Sequence, residues 1–233
     1  MTDTAAPLGH AIARTHWPMP AKAPRSGAYV DLKPMSEADI DSLWPVARGA
    51  PESFTYLRYG PFAGRDDLAR VLEDLANRPD QPFWTVQPKG SRPCGWLSIC
   101  DIHQTDGSIE IGSIWFAPEL QGTRAGREAI FLLMCHALDE LAYERLAWRC
   151  QAQNAKSFKA AENLGFAYEG TWRRAAVIDG WQRDVAWFSI LRDEWPSRKT
   201  ALEHWLLPEN FDRAGQPIRS LGHIRAALAS QPG

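Results

Sequence analysis

The spacing of apolar residues changes period several times along the chain, and each change predicts an element. AYVDLKPM (28–35) alternates apolar and polar positions at a period of two, which predicts a first strand. Ser36 then opens a helical pattern, with Asp39 placed to complete a cap and Ile40, Leu43 and Val46 on one face. A second helix follows Pro61–Phe62, with Leu68, Val71, Leu72 and Leu75 spaced for burial. The period then returns to two. PFWTVQP, CGWLSICDI and IEIGSIWF, separated by turns at Lys89–Gly90–Ser91 and Asp106–Gly107, predict an antiparallel meander.

After Gly126, the residues Ile130, Leu133, Met134, Ala137, Leu138 and Leu141 form one helical stripe. RLAWRCQA (145–152) reads as a further strand. Asn154 opens a short helix that stops at Gly165, a residue able to take the left-handed cap. AYEGTWRRAAVI and RDVAWFSIL, joined at Asp179–Gly180, close the pattern as a hairpin. The order β-α-α-β-β-β-α-β-α-β-β is that of a mixed α/β domain. Residues 1–26, rich in Pro and Ala and without periodicity, read as an N-terminal arm. The domain spans 27–195, and 196–233 form a C-terminal helical extension packed on it.

Composition narrows the class. A chain of 233 residues with 45% hydrophobic content is long enough for one sizeable core. The formal net charge of −2 argues against a nucleic-acid protein. No stretch approaches the ~20 apolar residues that span a bilayer, and the first thirty residues hold no continuous apolar run of the signal-peptide kind. Cys94, Cys100, Cys135 and Cys150 show neither a CxxC pair nor zinc spacing. They read as buried thiols in a reducing compartment, so the expected location is cytoplasmic and no metal is expected. Eleven tryptophans leave two readings open, core packing or an aromatic acceptor pocket.

PELQGTRAGREAIFLL (118–133) carries the candidate chemistry. A strand ends before Pro118, two glycines and two arginines follow within seven residues, and a helix begins. Unpaired N–H groups and the macrodipole at such a helix start favour a phosphate-bearing ligand. No Gly-Lys-Ser/Thr closes the loop, which excludes a Walker site, and the glycine spacing is not that of a dinucleotide fingerprint.

Three segments in order resemble the GCN5-related N-acetyltransferases (GNAT), in their ribosomal-protein-acetyltransferase-like (RimJ/RimL-type) branch. Gln121-Gly122-Thr123-Arg124-Ala125-Gly126 is similar to the family's Gln/Arg-x-x-Gly-x-Gly/Ala loop, with Arg124 standing where the pattern has glycine. NAKSFKAAENLGF (154–166) is similar to its Asn-initiated helix ending in Gly-Phe, and DGWQRDVAWFSILRDEWP to its closing strand. The resemblance covers about 28–195. It implies an α/β GNAT fold, a mostly antiparallel sheet of about seven strands flanked by about four helices, with the C-terminal extension added.

It also implies acetyl-CoA as co-substrate, with the pyrophosphate on Gln121, Gly122, Thr123, Arg124, Ala125, Gly126 and Arg127. Ile114, Trp115 and Phe116 would hold the pantetheine arm and offer a backbone N–H to the acyl oxygen, and Asn154 would be a further ligand. Glu110, eleven residues before Gln121, is the candidate general base that the family's histone-acetylating members imply, against a structural partner of an arginine. The tyrosine that many members carry seven residues after the asparagine is Ala161 here. Ser157 is the substitute candidate for the departing thiolate, against a first-turn serine bonding the helix backbone.

SFTYLRYGPF (53–62) supplies the candidate acceptor wall, Tyr56, Tyr59 and Phe62, against plain packing between helices. Arg173 and Arg174 could meet an acceptor carboxylate or simply face solvent. The expected partner is a small-molecule amine or a peptide N-terminus, with no nucleic acid and no membrane, the protein being a monomer or homodimer. The competing class is a catalytically silent acyl-CoA-binding or sensor domain. Glu110 discriminates: burial against an arginine and away from the thioester would favour the silent reading.

Overall fold

The computed structural model describes residue 9 and residues 11–230. The first eight residues and His10 of the expected arm, and the last three of the expected extension, lie outside them. Among the described residues, eight strands form one sheet in the order β1-β2-β3-β4-β5-β6-β8-β7. They are β1 (Arg25–Ser26), β2 (Val30–Pro34), β3 (Phe83–Pro88), β4 (Gly95–His103), β5 (Ser108–Phe116), β6 (Arg145–Gln151), β7 (Ala167–Ile178) and β8 (Trp181–Leu191). Every pair is antiparallel except β5 with β6. A parallel pair needs a long crossover, and α3 (Arg124–Cys135), continued by a π turn at His136–Glu140, supplies it. The other helices are α1 (Ile40–Arg48), α2 (Arg65–Asn77), α4 (Ala155–Leu164), α5 (Trp195–Leu206) and α6 (Leu221–Ala229).

The expected fold class is the one found. The strand beyond the expected seven is the two-residue β1, too short to leave a periodic trace, and α5 and α6 lie in the expected extension. Caps follow the sequence signals. The Asp39 carboxylate accepts from the Ser36 N–H at 2.9 Å. Thr123 Oγ1 accepts from the Gly126 N–H at 3.1 Å, Asn154 Oδ1 from the Ser157 N–H at 3.1 Å, and Gly165 closes α4 in the left-handed conformation.

Most of the tryptophans serve the core. Trp17, Trp84, Trp96, Trp115 and Trp205 are among the largest fully buried side chains. Trp17 is notable because it lies in the non-periodic arm. Its indole N–H donates to the Ala142 carbonyl at 2.7 Å, and its ring lies 6.3 Å from that of Tyr143. The Trp84 indole donates to the Ala23 carbonyl at 2.8 Å, and Arg25 pairs with Glu140 at 2.6 Å. Residues 17–26 are therefore bound across the domain. Period analysis could not show this, because the anchors are single side chains in an irregular segment.

Two features of the sheet position the site. The β5–β6 ladder runs only from Ser108↔Arg145 to Glu110↔Ala147, and beyond it the strands have no mutual pairing. On its other edge, β5 carries a register shift against β4 between Trp96 and Ser98, with Ser113 at φ 51° in the extra position. Beyond Glu110 the backbone of β5 thus has no β6 partner, and its polar groups face an opening in the sheet.

Candidate active site

A groove of about 1390 Å³ occupies this opening, and the α3 loop, Tyr56 and Glu110 are among the residues that line it. The loop is built for close approach. A Cβ on Gly126 would stand 2.5 Å from the Leu120 carbonyl oxygen, so only glycine permits this turn into α3. Gly122, at φ 73°, has nothing near its vacant Cβ position and leaves its backbone open to a ligand. Gln121 is fixed by donating from Nε2 to the Phe116 carbonyl at 2.9 Å. Amides at the start of α3 that lack a helical partner are the donors a phosphate would use.

Of the candidate cofactor residues, Ile114, Trp115, Phe116, Gln121, Gly122, Thr123, Gly126, Arg127, Asn154 and Ser157 line the groove, whereas Arg124 and Ala125 do not. The Arg124 guanidinium turns to the far side of α3. It donates to the Leu206 carbonyl and lies between the rings of Tyr29, at 3.7 Å, and Phe211, at 4.1 Å. The loop's departure from the glycine pattern is thus occupied by a tertiary contact. The Trp115 side chain faces the core, 4.4 Å from the ring of Trp96 and donating to Ser53 Oγ at 2.8 Å.

Asn154 caps α4 with its side-chain oxygen. Ser157 Oγ accepts from the Trp148 indole N–H at 3.1 Å and stands beside the Cys150 thiol, with no bond to the helix backbone. Among the acceptor candidates, Tyr56 spans the groove, its hydroxyl donating to the Gln153 carbonyl at 3.1 Å. Tyr59 lines the groove and its hydroxyl accepts from the Trp96 indole at 2.9 Å. Phe62 lies outside the lining, edge-on to Phe54 at 5.1 Å.

Glu110 is 4% exposed, and Arg149 Nε stands 2.5 Å from its Oε2, off the line of a hydrogen bond. The other arm of Arg149 pairs with Asp101, and its guanidinium lies 4.8 Å from the Trp187 ring. Burial pushes the Glu110 carboxyl up to about 7, against the pull of the Arg149 charge, with Asp101 adding to the rise. Arg149, Asp101 and Trp148 join the site without having been singled out in the sequence, and Cys150, read there only as a buried thiol, lines it too. The alternation of RLAWRCQA places Arg149 on the face of Ala147, but only the β5–β6 register, which sets Ala147 opposite Glu110, brings the Arg149 side chain within reach of that carboxylate.

All four thiols are shifted up by burial, Cys94 to about 11 and Cys135 to about 12. His136, next to Cys135 in the chain, is engaged through Nδ1 with Glu140 at 2.8 Å and Arg25 at 2.5 Å. Among the described residues no cluster of three or more His, Cys, Asp or Glu is arranged for a metal. None of the helices there is long and apolar enough to cross a membrane.

Comparison with known proteins agrees with the geometry. The family model described as "Acetyltransferase (GNAT) domain" matches residues 30–167. A crystal structure of a GCN5-related N-acetyltransferase from Brucella melitensis is 37% identical, with a TM-score of 0.89 over 92% of this chain and 99% of that one. A GNAT-family structure from Chromobacterium violaceum ATCC 12472 is 34% identical, with a TM-score of 0.77 over 82% of this chain and 98% of that one. The Bacillus subtilis (strain 168) protein named "Putative ribosomal N-acetyltransferase YdaF" is 32% identical over 106 residues, 46% of this chain. That match spans 57% of the length of the curated relative. A loop that opens its amides at the start of α3, a sheet parted beside it and a matching family model leave one assignment: the chain belongs to the GNAT acetyltransferase family.

Proposed function

We propose that this protein moves an acetyl group from acetyl-CoA to a primary amine, either a protein N-terminus or a small amine or aminoacyl compound, by direct attack with both substrates bound. The observation that carries the reading is the gap between β5 and β6. It joins the phosphate-type loop, the free edge of β5 and a buried carboxylate in one groove. Acetyl-CoA supplies a thioester, already activated toward amines. The protein's task is to bind, orient and move one proton.

An amine is protonated at neutral pH, with a pKa of about 7.7–8.0 for an α-amino group and about 10.4 for lysine. Glu110, with its carboxyl near neutrality, is matched to take that proton directly or through water. The amine nitrogen then bonds the acyl carbon, the carbon–sulfur bond breaks, and the second proton shed by the nitrogen as the amide forms passes to the departing sulfur, which leaves as the thiol of the coenzyme. N–H groups on the free edge of β5 at 114–116 are the donors offered to the acyl oxygen. The Ser157 hydroxyl is the group nearest in role to the absent tyrosine at Ala161. The name of the Bacillus subtilis relative favours a protein N-terminus within the acceptor class, and the RimJ/RimL-type branch accords with it.

The silent-domain reading rests on the missing tyrosine at Ala161 and the altered loop at Arg124, and the Glu110–Arg149 ion pair adds to it. The same carboxylate lines the groove, however, and its proton is held near neutrality. Incubation with acetyl-CoA and a panel of amines and peptide N-termini, with products identified by mass, tests the activity. No acetylated product from any acceptor would favour the silent reading.

Coenzyme A should raise the melting temperature through binding to the native state, and adenine nucleotides lacking pantetheine should do so less. Absence of a shift at millimolar coenzyme A would remove the co-substrate. Initial-rate lines should intersect, because buried thiols with raised pKa values are poor carriers of the acetyl group. Parallel lines, or an acetylated peptide at Cys135 or Cys150 from enzyme and acetyl-CoA alone, would overturn direct transfer.

A further inference from the structure

The first turns of α3 present two arginines at a spacing of three, Arg124 and Arg127, to the chain that follows β8. Neither is neutralised by a carboxylate among the described residues. Both are stacked on aromatic rings instead. Arg124 lies between Tyr29 and Phe211, and Phe211 meets Trp205 edge-on at 5.0 Å. Trp205 in turn carries the Arg127 guanidinium 4.1 Å from its ring centroid. The result is a continuous row, Tyr29–Arg124–Phe211–Trp205–Arg127, that ends at the mouth of the groove. Arg127 lines that groove and makes no side-chain hydrogen bond or ion pair among the described residues.

A guanidinium stacked on a ring leaves its charge uncompensated and its N–H edge free, whereas in an ion pair the charge is balanced and the donors are occupied by the partner. The local field asks for an anion. Arg127 stands in the first turns of a helix, where a cation is disfavoured. Burial, and then the nearby Arg225, lower its pKa to about 10. Arg225, on α6, is itself occupied by the carbonyls of Glu162 and Asn163 at the end of α4, and Arg198, on α5, by the Gly165 carbonyl at 3.2 Å. The chain after β8 thus grips α4 on one side of the groove and α3 on the other.

We infer that Trp205 is a positioning residue for the coenzyme, holding Arg127 unpaired at the start of α3 to meet its phosphates, so that the chain after β8 completes the coenzyme site. This rests on the acetyl-CoA reading above and assigns a role within that site to a segment outside the matched family domain.

The test is calorimetric binding of coenzyme A and of pantetheine, which lacks all the phosphates, to the wild type, Trp205→Phe, Trp205→Leu, Arg127→Met and the Arg127→Met/Trp205→Phe double variant. Trp205 is buried, so Trp205→Phe, which keeps an aromatic face, is the reference variant should Trp205→Leu fold poorly. Arg127→Met should weaken coenzyme A by about tenfold and leave pantetheine unchanged, as expected for loss of a charge-assisted contact. Trp205→Leu should approach the same loss and Trp205→Phe show part of it, in line with the order of ring strengths toward cations. In the Arg127→Met background, Trp205→Phe should add nothing. Equal weakening of coenzyme A and pantetheine, or a full Trp205→Phe effect without Arg127, would overturn the inference while leaving the coenzyme reading intact. No binding of coenzyme A to the wild type would overturn both.

Discussion

Glu110→Gln should lower kcat by roughly 10²–10⁴-fold with little change in coenzyme A affinity, the range typical of a lost general base. The substitution keeps the shape of the side chain beside Arg149 and removes its ability to accept a proton, together with the charge that faces that guanidinium. The wild-type profile should also have an acidic limb. Because burial raises the carboxyl to about 7, the base is increasingly protonated, and the rate falls, as pH drops below that value. The glutamine variant has no such group, so its limb should flatten. The measurement is kcat against pH for both proteins with saturating acetyl-CoA. An unchanged kcat and limb would make Glu110 a structural partner of Arg149 and would strengthen the silent reading.

Trp17→Ala should have the largest effect on stability, since truncation of a buried Phe or Trp costs about 3–5 kcal/mol. For a chain of this size that corresponds to a fall of roughly 6–20 °C in melting temperature. Trp17 is 0% exposed, its indole N–H is bonded to Ala142, and its own N–H donates to the Gln104 carbonyl at 2.9 Å. It ties the arm to the turn between β4 and β5 and to the segment before β6, the two stretches that lead into the parallel pair. Thermal denaturation of the two proteins reads the difference directly. A fall under about 2 °C would mean that the arm contributes almost nothing to the fold.

How far the sequence alone reached can be judged residue by residue. Period two in 83–116 and period 3.6 in 65–77 and 124–138 are properties of local pattern, and the strands and helices stand where that pattern puts them. Caps at Ser36, Thr123, Asn154 and Gly165 are equally local, since each partner lies within a few residues. The α3 loop was legible for the same reason. Its chemistry is a run of glycines and backbone amides contiguous in the chain.

What could not be read locally are the contacts between segments far apart. Arg124, expected on phosphate, is drawn to Tyr29 and Phe211, 95 and 87 positions away in the chain, and no pattern at 121–127 names those rings. Arg149 reaches Glu110 only through the register of β5 on β6, and the proton affinity of Glu110 follows from the burial and charges that this register creates. Phe62 shares a short aromatic segment with Tyr56 and Tyr59, yet packs on Phe54 while they line the groove. Local sequence determined which elements form and where a glycine-bearing loop opens α3, because those depend on neighbours in the chain. The tertiary structure decided which side chains face the groove and how acidic they are, because burial and charge proximity are properties of the packed whole.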